Sequence, residues 1–237
     1  MLNGASLSAL SRIAERANDL LNAYTPGFRP TFSDVTAALP KPEKSSNPLS
    51  VVAPADGWFV VAAKDGSRRY TRDGEFEFRN GALVTSHGEP VMTLERGVAV
   101  PLRADPVDVA LGRCTDVRVE SDGTLAYTRP ALDPQTGERT VERVGIGRVA
   151  LARFPAGTQP VRLDPSTYGA PHGVLPHFGT PADGSFGGLV TYARDRGALD
   201  LDSGIARLQE AYQAFSALGA ANRARGKTES VAMDLVK

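Results

Sequence analysis

The chain has 237 residues, of which 41% are hydrophobic, and its 27 basic residues balance its 27 acidic ones. This length fits one large domain or a small domain with an extension, and the neutral formal charge gives no reason to expect nucleic acid or an acidic membrane as a partner. Cys114 is the only cysteine, which excludes an intramolecular disulfide framework and a multi-cysteine zinc site and predicts a buried small apolar residue. The chain has no apolar run of the roughly 20 residues that a membrane span needs. Its N-terminus lacks the charged head and continuous apolar stretch of a cleaved signal peptide, so we expect no such signal.

An amphipathic helix is predicted near the N-terminus, because apolar residues recur there at alternating steps of three and four. This stripe consists of Leu10, Ile13, Ala17, Leu20 and Tyr24. Thr25-Pro26-Gly27 is predicted to end the helix, since proline disfavours helical geometry in the residue before it and glycine supplies a turn. A second helix is predicted from about Leu199 to Asn222, with a stripe of the same kind: Leu201, Ile205, Leu208, Tyr212 and Phe215.

Neither helix should be stable alone, because fixing each backbone residue costs about 1–2 kcal/mol, and the stripe offsets this cost only when its side chains are buried, at roughly 1.5–3 kcal/mol each. We therefore expect the two stripes to become ordered by pairing, with each other or with neighbouring subunits. The alternative is that both helices pack on the core of their own domain. Their position at the two extremes of the chain favours an interface between subunits in a coiled-coil-like core. A head-to-tail interface that does not close on itself produces a helical filament.

Between the helices the sequence predicts an extended linker, an all-β domain and a return segment rich in glycine and proline. The β domain shows short alternating strands around turns at Asp65-Gly66, Asp73-Gly74, Asn80-Gly81 and His87-Gly88, which predict a β-meander. Further strands are predicted beyond it, one of them at Val107–Leu111. Four aromatic residues are predicted to be core: Trp58, Phe59, Phe76 and Phe78. The predicted divisions are an N-terminal helix (1–29), a linker (30–55), a central β domain (56–154), a return segment (155–198) and a C-terminal helix with a polar tail (199–237).

The candidate catalytic and metal-binding residues are more simply explained by structural roles. The three histidines, His87, His172 and His177, all lie beside glycine or proline, and their spacing does not suit a helical ligand pair. No G-x-S-x-G motif surrounds a serine. Asp105, Asp108 and Asp164 could supply a carboxylate pair, but loop aspartates are usually solvated. We therefore expect a protein that is not an enzyme, with no catalytic residues, no metal and no cofactor.

Several motifs resemble those of the axial proteins of the bacterial flagellum, the family of rod, hook and hook-associated subunits. The N-terminal signature A-N-N-L-A-N-x-x-T-P-G-F-K is similar to the stretch that holds Ala17, Asn18, Leu20, Asn22, Thr25, Pro26, Gly27, Phe28 and Arg29. Asp56-Gly57-Trp58-Phe59-Val60-Val61 resembles G-D-G-F-F-V-V. The most specific likeness is Tyr70-Thr71-Arg72-Asp73-Gly74-Glu75-Phe76, followed by Gly81-Ala82-Leu83-Val84-Thr85. Gln209-Glu210-Ala211-Tyr212 resembles a motif of the C-terminal helix.

The resemblance implies a mainly β protein with terminal α-helices, in which the two helices pair as a coiled-coil-like core domain beside a central all-β domain. The length suits a rod subunit, more similar to the proximal than to the distal one. It further implies self-assembly with other rod and hook subunits into the shaft that transmits torque, and export through the flagellar type III apparatus to the basal body without a cleaved signal. Nucleic-acid binding and direct membrane insertion are not expected.

A second hypothesis comes from a different class of protein. A chain with a β-rich centre could be a secreted module that binds polysaccharide or cell wall. The two hypotheses differ in the role of the terminal helices, which a filament subunit needs for assembly and a binding module does not.

Overall fold

The computed structural model describes residues 4–30, 40–133, 135, 137–197 and 201–235. Three helices are α1 (Gly4–Leu21), α2 (Pro106–Ala110) and α3 (Leu201–Leu235). The strands of the first half are β1 (Pro42–Lys44), β2 (Val51–Val52), β3 (Trp58–Ala62), β4 (Arg68–Thr71), β5 (Phe76–Arg79), β6 (Ala82–Thr85), β7 (Met92–Glu95) and β8 (Val98–Pro101). Those of the second half are β9 (Thr115–Val119), β10 (Thr124–Leu132), β11 (Arg139–Arg148), β12 (Leu151–Arg153), β13 (Val161–Arg162), β14 (Thr167–Gly169), β15 (His177–Gly179), β16 (Val190–Thr191) and β17 (Ala193–Asp195).

The chain divides into two compact units: a helical unit formed by Met1–Ala23 with Leu199–Lys237, and a β unit formed by Tyr24–Ala198. A mainly β fold with terminal helices is therefore confirmed. Among the described residues, no helix combines the length and the apolar character required to span a bilayer.

The helical unit consists of α1 and α3, which pack against each other. The Asn222 amide donates a hydrogen bond to the Ser6 hydroxyl at 3.4 Å, while Arg16 near the end of α1 shares a groove with Arg207 near the start of α3. The two helices therefore run antiparallel. The C-terminal helix is longer than predicted, because it continues from Asn222 to Leu235 through the predicted polar tail. Alanine, glutamate and lysine in that segment are good helix formers, and it contains no proline.

A six-stranded antiparallel sheet in the order β13-β14-β4-β3-β12-β15 forms the centre of the β unit. A three-stranded sheet (β11-β10-β9), the hairpins β5-β6 and β7-β8, and two small sheets (β1-β17 and β16-β2) complete it. Strand β3 is buried on both faces. Phe59 and Val61 belong to the larger hydrophobic cluster, and Trp58 and Val60 to the second one, because successive side chains of a strand point to opposite faces.

The four predicted core aromatics are confirmed as core. Trp58, Phe59 and Phe76 are buried, and Phe78 is half-buried against the larger cluster. Their rings also make specific contacts, since Phe59 meets Phe76 edge to face at 5.0 Å between centroids. Cys114, in contrast, is only half-buried, so its predicted burial is wrong.

Two stretches differ from the predicted secondary structure. Val107–Leu111 was predicted as a strand, but Pro106–Ala110 is the helix α2. This helix forms for a local reason. The Asp105 carboxylate accepts a hydrogen bond from the Val107 N–H at 2.8 Å, and Pro106 occupies the first turn, so the two residues together start a helix.

Residues 40–55, the described part of the predicted linker, are not the solvated, extended segment that was expected. That stretch contributes β1 and β2 to sheets with strands of the return segment, and Val51 and Val52 are fully buried. Residues 31–39 of the predicted linker lie outside the described residues. The return segment itself holds five strands of two or three residues each, β13 to β17.

Candidate functional site: a helix pair and a motif junction

The first candidate site is the surface of the helix pair. On the α1 stripe, Leu10 is exposed, and Ile13, Ala17 and Leu20 are half-buried. On the α3 stripe, Leu201, Leu208 and Phe215 are half-buried, whereas Ile205 and Tyr212 remain 47% and 62% exposed. Pairing of α1 with α3 therefore leaves large apolar side chains of both helices in contact with solvent.

Further apolar residues outside the predicted stripe add to this exposed surface on α1. Leu7 and Leu21 are exposed, while the buried residues of the helix are the polar Ser6 and Asp19. Tyr24, predicted as the last member of the stripe, lies beyond the end of α1 and belongs to the β unit. The N-terminal stripe on the helix therefore ends at Leu20.

The groove between α1 and α3 has a volume of about 260 Å³ and mixed chemistry. Its walls combine small apolar residues with three arginines and one glutamate: Ala9, Arg12, Arg16, Arg207, Glu210, Ala211 and Ala214. Small residues allow the two helix backbones to approach, and the arginine stems cover apolar surface while their charged heads face water.

The motif residues that follow α1 form the second candidate site, which we call the motif junction: residues 25–29 together with 70–74. Gly27 has a φ of +69°, and a Cβ added to it would lie 2.3 Å from the backbone nitrogen of Asp73. Two motifs that are far apart in the sequence therefore pack backbone against backbone, at a point where only glycine fits.

Gly74 makes a similar close approach on the other side of the junction. A Cβ at this position would lie 1.9 Å from the carbonyl oxygen of Val51, and the Val51 N–H donates to the carbonyl of Gly74 at 3.0 Å. Its φ is not positive, unlike those of Gly66, Gly81 and Gly88. The predicted hairpin turn at Asp73-Gly74 is therefore wrong, and β4 pairs with β3 and β14 rather than with β5.

Hydrogen bonds hold the rest of this motif in place. The Thr71 hydroxyl donates to the carbonyl of Ser166 at 2.7 Å and accepts the Asp73 N–H at 3.0 Å. Tyr70 is buried edge to face against Phe154, and burial raises the pKa of its phenol. In the helical unit, the Asn22 amide donates to the carbonyl of Asn18 at 2.9 Å.

A fully buried ion pair joins the start and the end of the β unit. Arg29 donates from Nη2 to Oδ2 of Asp195 at 2.6 Å, and the two side chains are 0% and 1% exposed. The other carboxylate oxygen accepts the backbone N–H groups of Lys41 at 3.1 Å and Gly197 at 3.2 Å. Asp195 thereby ties three separate segments of the chain together.

Two further charged groups are buried at the junction. Arg72 donates from Nη1 to the carbonyls of Ala55 and Gly57, both at 2.7 Å. Desolvation, followed by the charge of Arg29, lowers the pKa of Arg72 to about 10. Desolvation raises the pKa of the buried Asp73 carboxyl to about 6, against the opposing hydrogen bond from the Glu75 N–H.

The carboxylates considered as catalytic candidates have structural partners. Asp105 caps α2, Asp108 accepts the Tyr127 hydroxyl at 2.5 Å and Arg129 at 2.9 Å, and Asp164 accepts the N–H of Thr167 at 2.8 Å. The His177 ring stacks on Phe186. Within the described ranges, no group of three His, Cys, Asp or Glu side chains is arranged to hold a metal ion.

Comparison with known proteins agrees with these motifs. Residues 54–127 match the family "Flagellar hook protein FlgE/F/G D1 domain". The chain is 32% identical over 165 residues to the flagellar basal-body rod protein FlgF of Escherichia coli strain K12, a match that covers 60% of each protein. Over these regions the chain is similar to flagellar basal-body rod proteins.

Two more rod proteins extend the similarity. FlgF of Salmonella typhimurium is 30% identical over 156 residues, which are 56% of this chain and 58% of that protein. FlgG of Buchnera aphidicola subsp. Schizaphis graminum is 26% identical over 129 residues, 54% of this chain and 42% of that protein. The chain matches about 60% of the length of the FlgF relatives, and the resemblance to axial proteins is confirmed.

The D1 match contains one half of the motif junction, Tyr70 to Gly74, but not the other half at Thr25 to Arg29. It also excludes Asp195 and Arg162, which contact the junction and which sequence reasoning missed. Arg29 directly follows an apolar motif ending in Phe28, and that position was a signal for a buried charge. No comparable signal marked Asp195, because an aspartate before Arg196 and Gly197 is typical of an exposed turn.

Proposed function

We propose that this chain is a structural subunit of the bacterial flagellar basal-body rod, and that it assembles with copies of itself and with other rod and hook subunits through its terminal helices. The proposal covers a place in the periplasm-spanning shaft, transmission of torque to the hook, export through the flagellar type III apparatus and a requirement in flagellum assembly and motility. Its rod position is most similar to that of a proximal subunit.

The single observation that carries the proposal is the exposed apolar surface of the helix pair. Ile205 and Tyr212 lie on one stripe of α3 and remain about half or more exposed after α1 has packed. Fully burying a side chain of this size is worth roughly 1.5–3 kcal/mol. A contiguous exposed apolar patch is typical of a protein interface, and similarity to rod proteins supports an assembly of rod subunits as the partner.

The buried ion pair supports the same proposal in another way. Arg29 and Asp195 fix the points at which the chain enters and leaves the β unit. A unit anchored at both ends suits a subunit that carries mechanical load. The pairing of the helices as a coiled coil between subunits is part of this proposal.

The proposal is tested with the double variant I205Q/Y212Q, expressed in place of the native gene. Both side chains are exposed, so we expect the thermal stability of the isolated chain to change by no more than about 0.5 kcal/mol. Motility on soft agar and the yield of rods in purified basal bodies should both fall strongly. The variant L175Q, which changes an 87% exposed leucine of the β unit, is the matched control and should retain motility. Normal motility of I205Q/Y212Q would contradict assembly through α3.

A further inference from the structure

Three guanidinium groups surround an aromatic cluster beside the motif junction. Arg29 and Arg72 are 0% and 2% exposed, and Arg162 is half-buried. The Arg162 guanidinium lies over the ring of Phe28 at 4.6 Å and over that of Tyr168 at 5.4 Å. Arg72 lies over the ring of Trp58 at 5.5 Å, and Trp58 in turn contacts Tyr168 edge to face at 4.9 Å. We call this group the arginine cluster: Arg29, Arg72 and Arg162.

Each arginine uses part of its donor set on the protein. Arg29 donates to Asp195 and to the carbonyl of Phe28, and Arg72 donates to two carbonyls from a single nitrogen. Arg162 donates from Nη2 to the carbonyl of Arg29. Each arginine also has one buried nitrogen without a hydrogen-bond partner in the described part of the chain. These atoms are Nε of Arg29, Nη2 of Arg72 and Nη1 of Arg162.

In the described part of the chain, buried carboxylates do not balance the charges of the cluster. Among those residues, Asp195 is the one fully buried carboxylate that pairs with a member of the cluster, and its oxygens are occupied by Arg29, Lys41 and Gly197. Asp56, which also attracts Arg72, is half exposed and pairs with Arg153 at 2.6 Å. Arginine does not lose its proton in proteins, so two buried guanidinium groups and a half-buried third beside one buried carboxylate favour a further negative charge.

We propose that the arginine cluster binds a small monovalent inorganic anion, chloride in the cell, between the three guanidinium groups. A halide accepts several N–H donors at once from different directions, and three such donors are available on buried atoms. The aromatic rings of Phe28, Trp58 and Tyr168 pack against Arg72 and Arg162, so apolar groups lie beside the donors and strong hydration of a bound ion is not required. A bound halide would connect residues 28–29, residue 72 and β13, and so brace the junction against separation of these segments.

The test uses the full chain and follows thermal unfolding by the fluorescence of Trp58, the only tryptophan. Sodium chloride is raised from 0 to 300 mM while sodium gluconate keeps the ionic strength constant, since gluconate is too large for a buried site. For a site with an affinity of about 10 mM, linkage predicts that the midpoint rises by roughly 4–8 °C. Equal midpoints in chloride and gluconate would overturn the proposal.

Two arginine variants separate a specific site from a general salt effect. R162Q removes one half-buried member of the cluster and should abolish the difference between chloride and gluconate. R79Q removes a 51% exposed arginine that pairs with Glu77 and should keep the difference. A full chloride response in R162Q would also overturn the proposal.

A direct measurement keeps the test independent of whether R162Q folds. Chloride-35 NMR line broadening by the unmodified chain, reversed by bromide, is expected for an exchanging halide site. Absence of protein-dependent broadening, together with no effect of chloride on the midpoint, would show that water rather than an anion satisfies the three nitrogens.

Discussion

Removal of the Asp195 carboxylate should destabilise the β unit more than any surface change. D195A leaves the fully buried Arg29 without its charge partner and two backbone N–H groups, of Lys41 and Gly197, without their acceptor. Breaking a buried ion pair by deleting one partner costs about 3–5 kcal/mol. At roughly 2–4 °C per kcal/mol for a domain of this size, the unfolding midpoint should fall by about 6–20 °C.

Urea unfolding monitored by Trp58 fluorescence measures this cost, because Trp58 is buried in the same unit. The matched control is E43Q, which removes one partner of the Glu43 and Arg194 pair at 2.9 Å. Those side chains are 43% and 47% exposed, so the control should lose less than about 1 kcal/mol. The double variant R29M/D195L, which replaces both charges by apolar groups, should recover most of the lost stability.

The reasoning fails on either of two outcomes. A loss below about 1 kcal/mol in D195A would mean that the pair is solvated in the folded chain. A double variant as unstable as D195A would mean that hydrogen bonds to Lys41 and Gly197, rather than the unpaired charge, dominate the effect.

Two other positions of the motif junction give independent predictions. G27A should be destabilised by several kcal/mol, because the new Cβ would meet the Asp73 nitrogen at 2.3 Å. The control G66A has a similar positive φ but open space around it, so it should lose only about 1–2 kcal/mol. Equal losses of the two variants in urea unfolding would contradict the close packing at Gly27. Asp73 makes stability depend on pH, because its pKa is about 6 in the fold against 3.8 unfolded and the folded state therefore holds the proton more tightly. The contribution of Asp73 to the free energy of unfolding should be fully present below the unfolded pKa and fall by roughly 2–3 kcal/mol between about pH 4 and pH 6.5. D73N should flatten this part of the profile, and an unchanged slope in D73N would assign it to another group, such as Glu89, whose pKa burial also raises.

Local patterns predicted much of the β unit. Asn80-Gly81 and Asp65-Gly66 are turns that join β5 to β6 and β3 to β4, because glycine there adopts the positive φ that a tight hairpin needs. The alternation of Phe76 and Phe78 likewise placed both side chains against the larger core cluster. These features depend on neighbours in the sequence, which is why the sequence alone could reveal them.

Features set by distant segments could not be predicted in this way. The Asp73-Gly74 pair has the composition of a hairpin turn, yet Gly74 serves the close approach of Val51. Residues 40–55 have the composition of a linker, but pairing with β16 and β17 makes them part of the β unit. The ion pair of Arg29 with Asp195 joins opposite ends of that unit, and no spacing rule connects the two residues.

The exposed stripes on the helices combine a feature that the sequence reveals with one that only the packing of distant segments decides. Periodicity located Ile205 and Tyr212 on one side of a helix, and α3 contains both. Periodicity could not show whether α1 covers that side, because the answer depends on how the two helices are rotated against each other. Their exposure in the described structure therefore adds the observation on which the proposed assembly depends.

Site-specific photo-cross-linking in purified basal bodies tests the central claim most directly. The variant C114S/I205C carries one cysteine on the exposed stripe of α3, and C114S/L175C carries one on the β unit as its control. A rod subunit that assembles through its helices should be present in the basal-body fraction. A photoreactive maleimide attached at position 205 should cross-link it to neighbouring subunits, whereas one attached at position 175 should not, and this readout does not require the same residue of two copies to meet in a head-to-tail interface. Absence of the chain from purified basal bodies, or cross-linking through position 175 alone, would contradict the account.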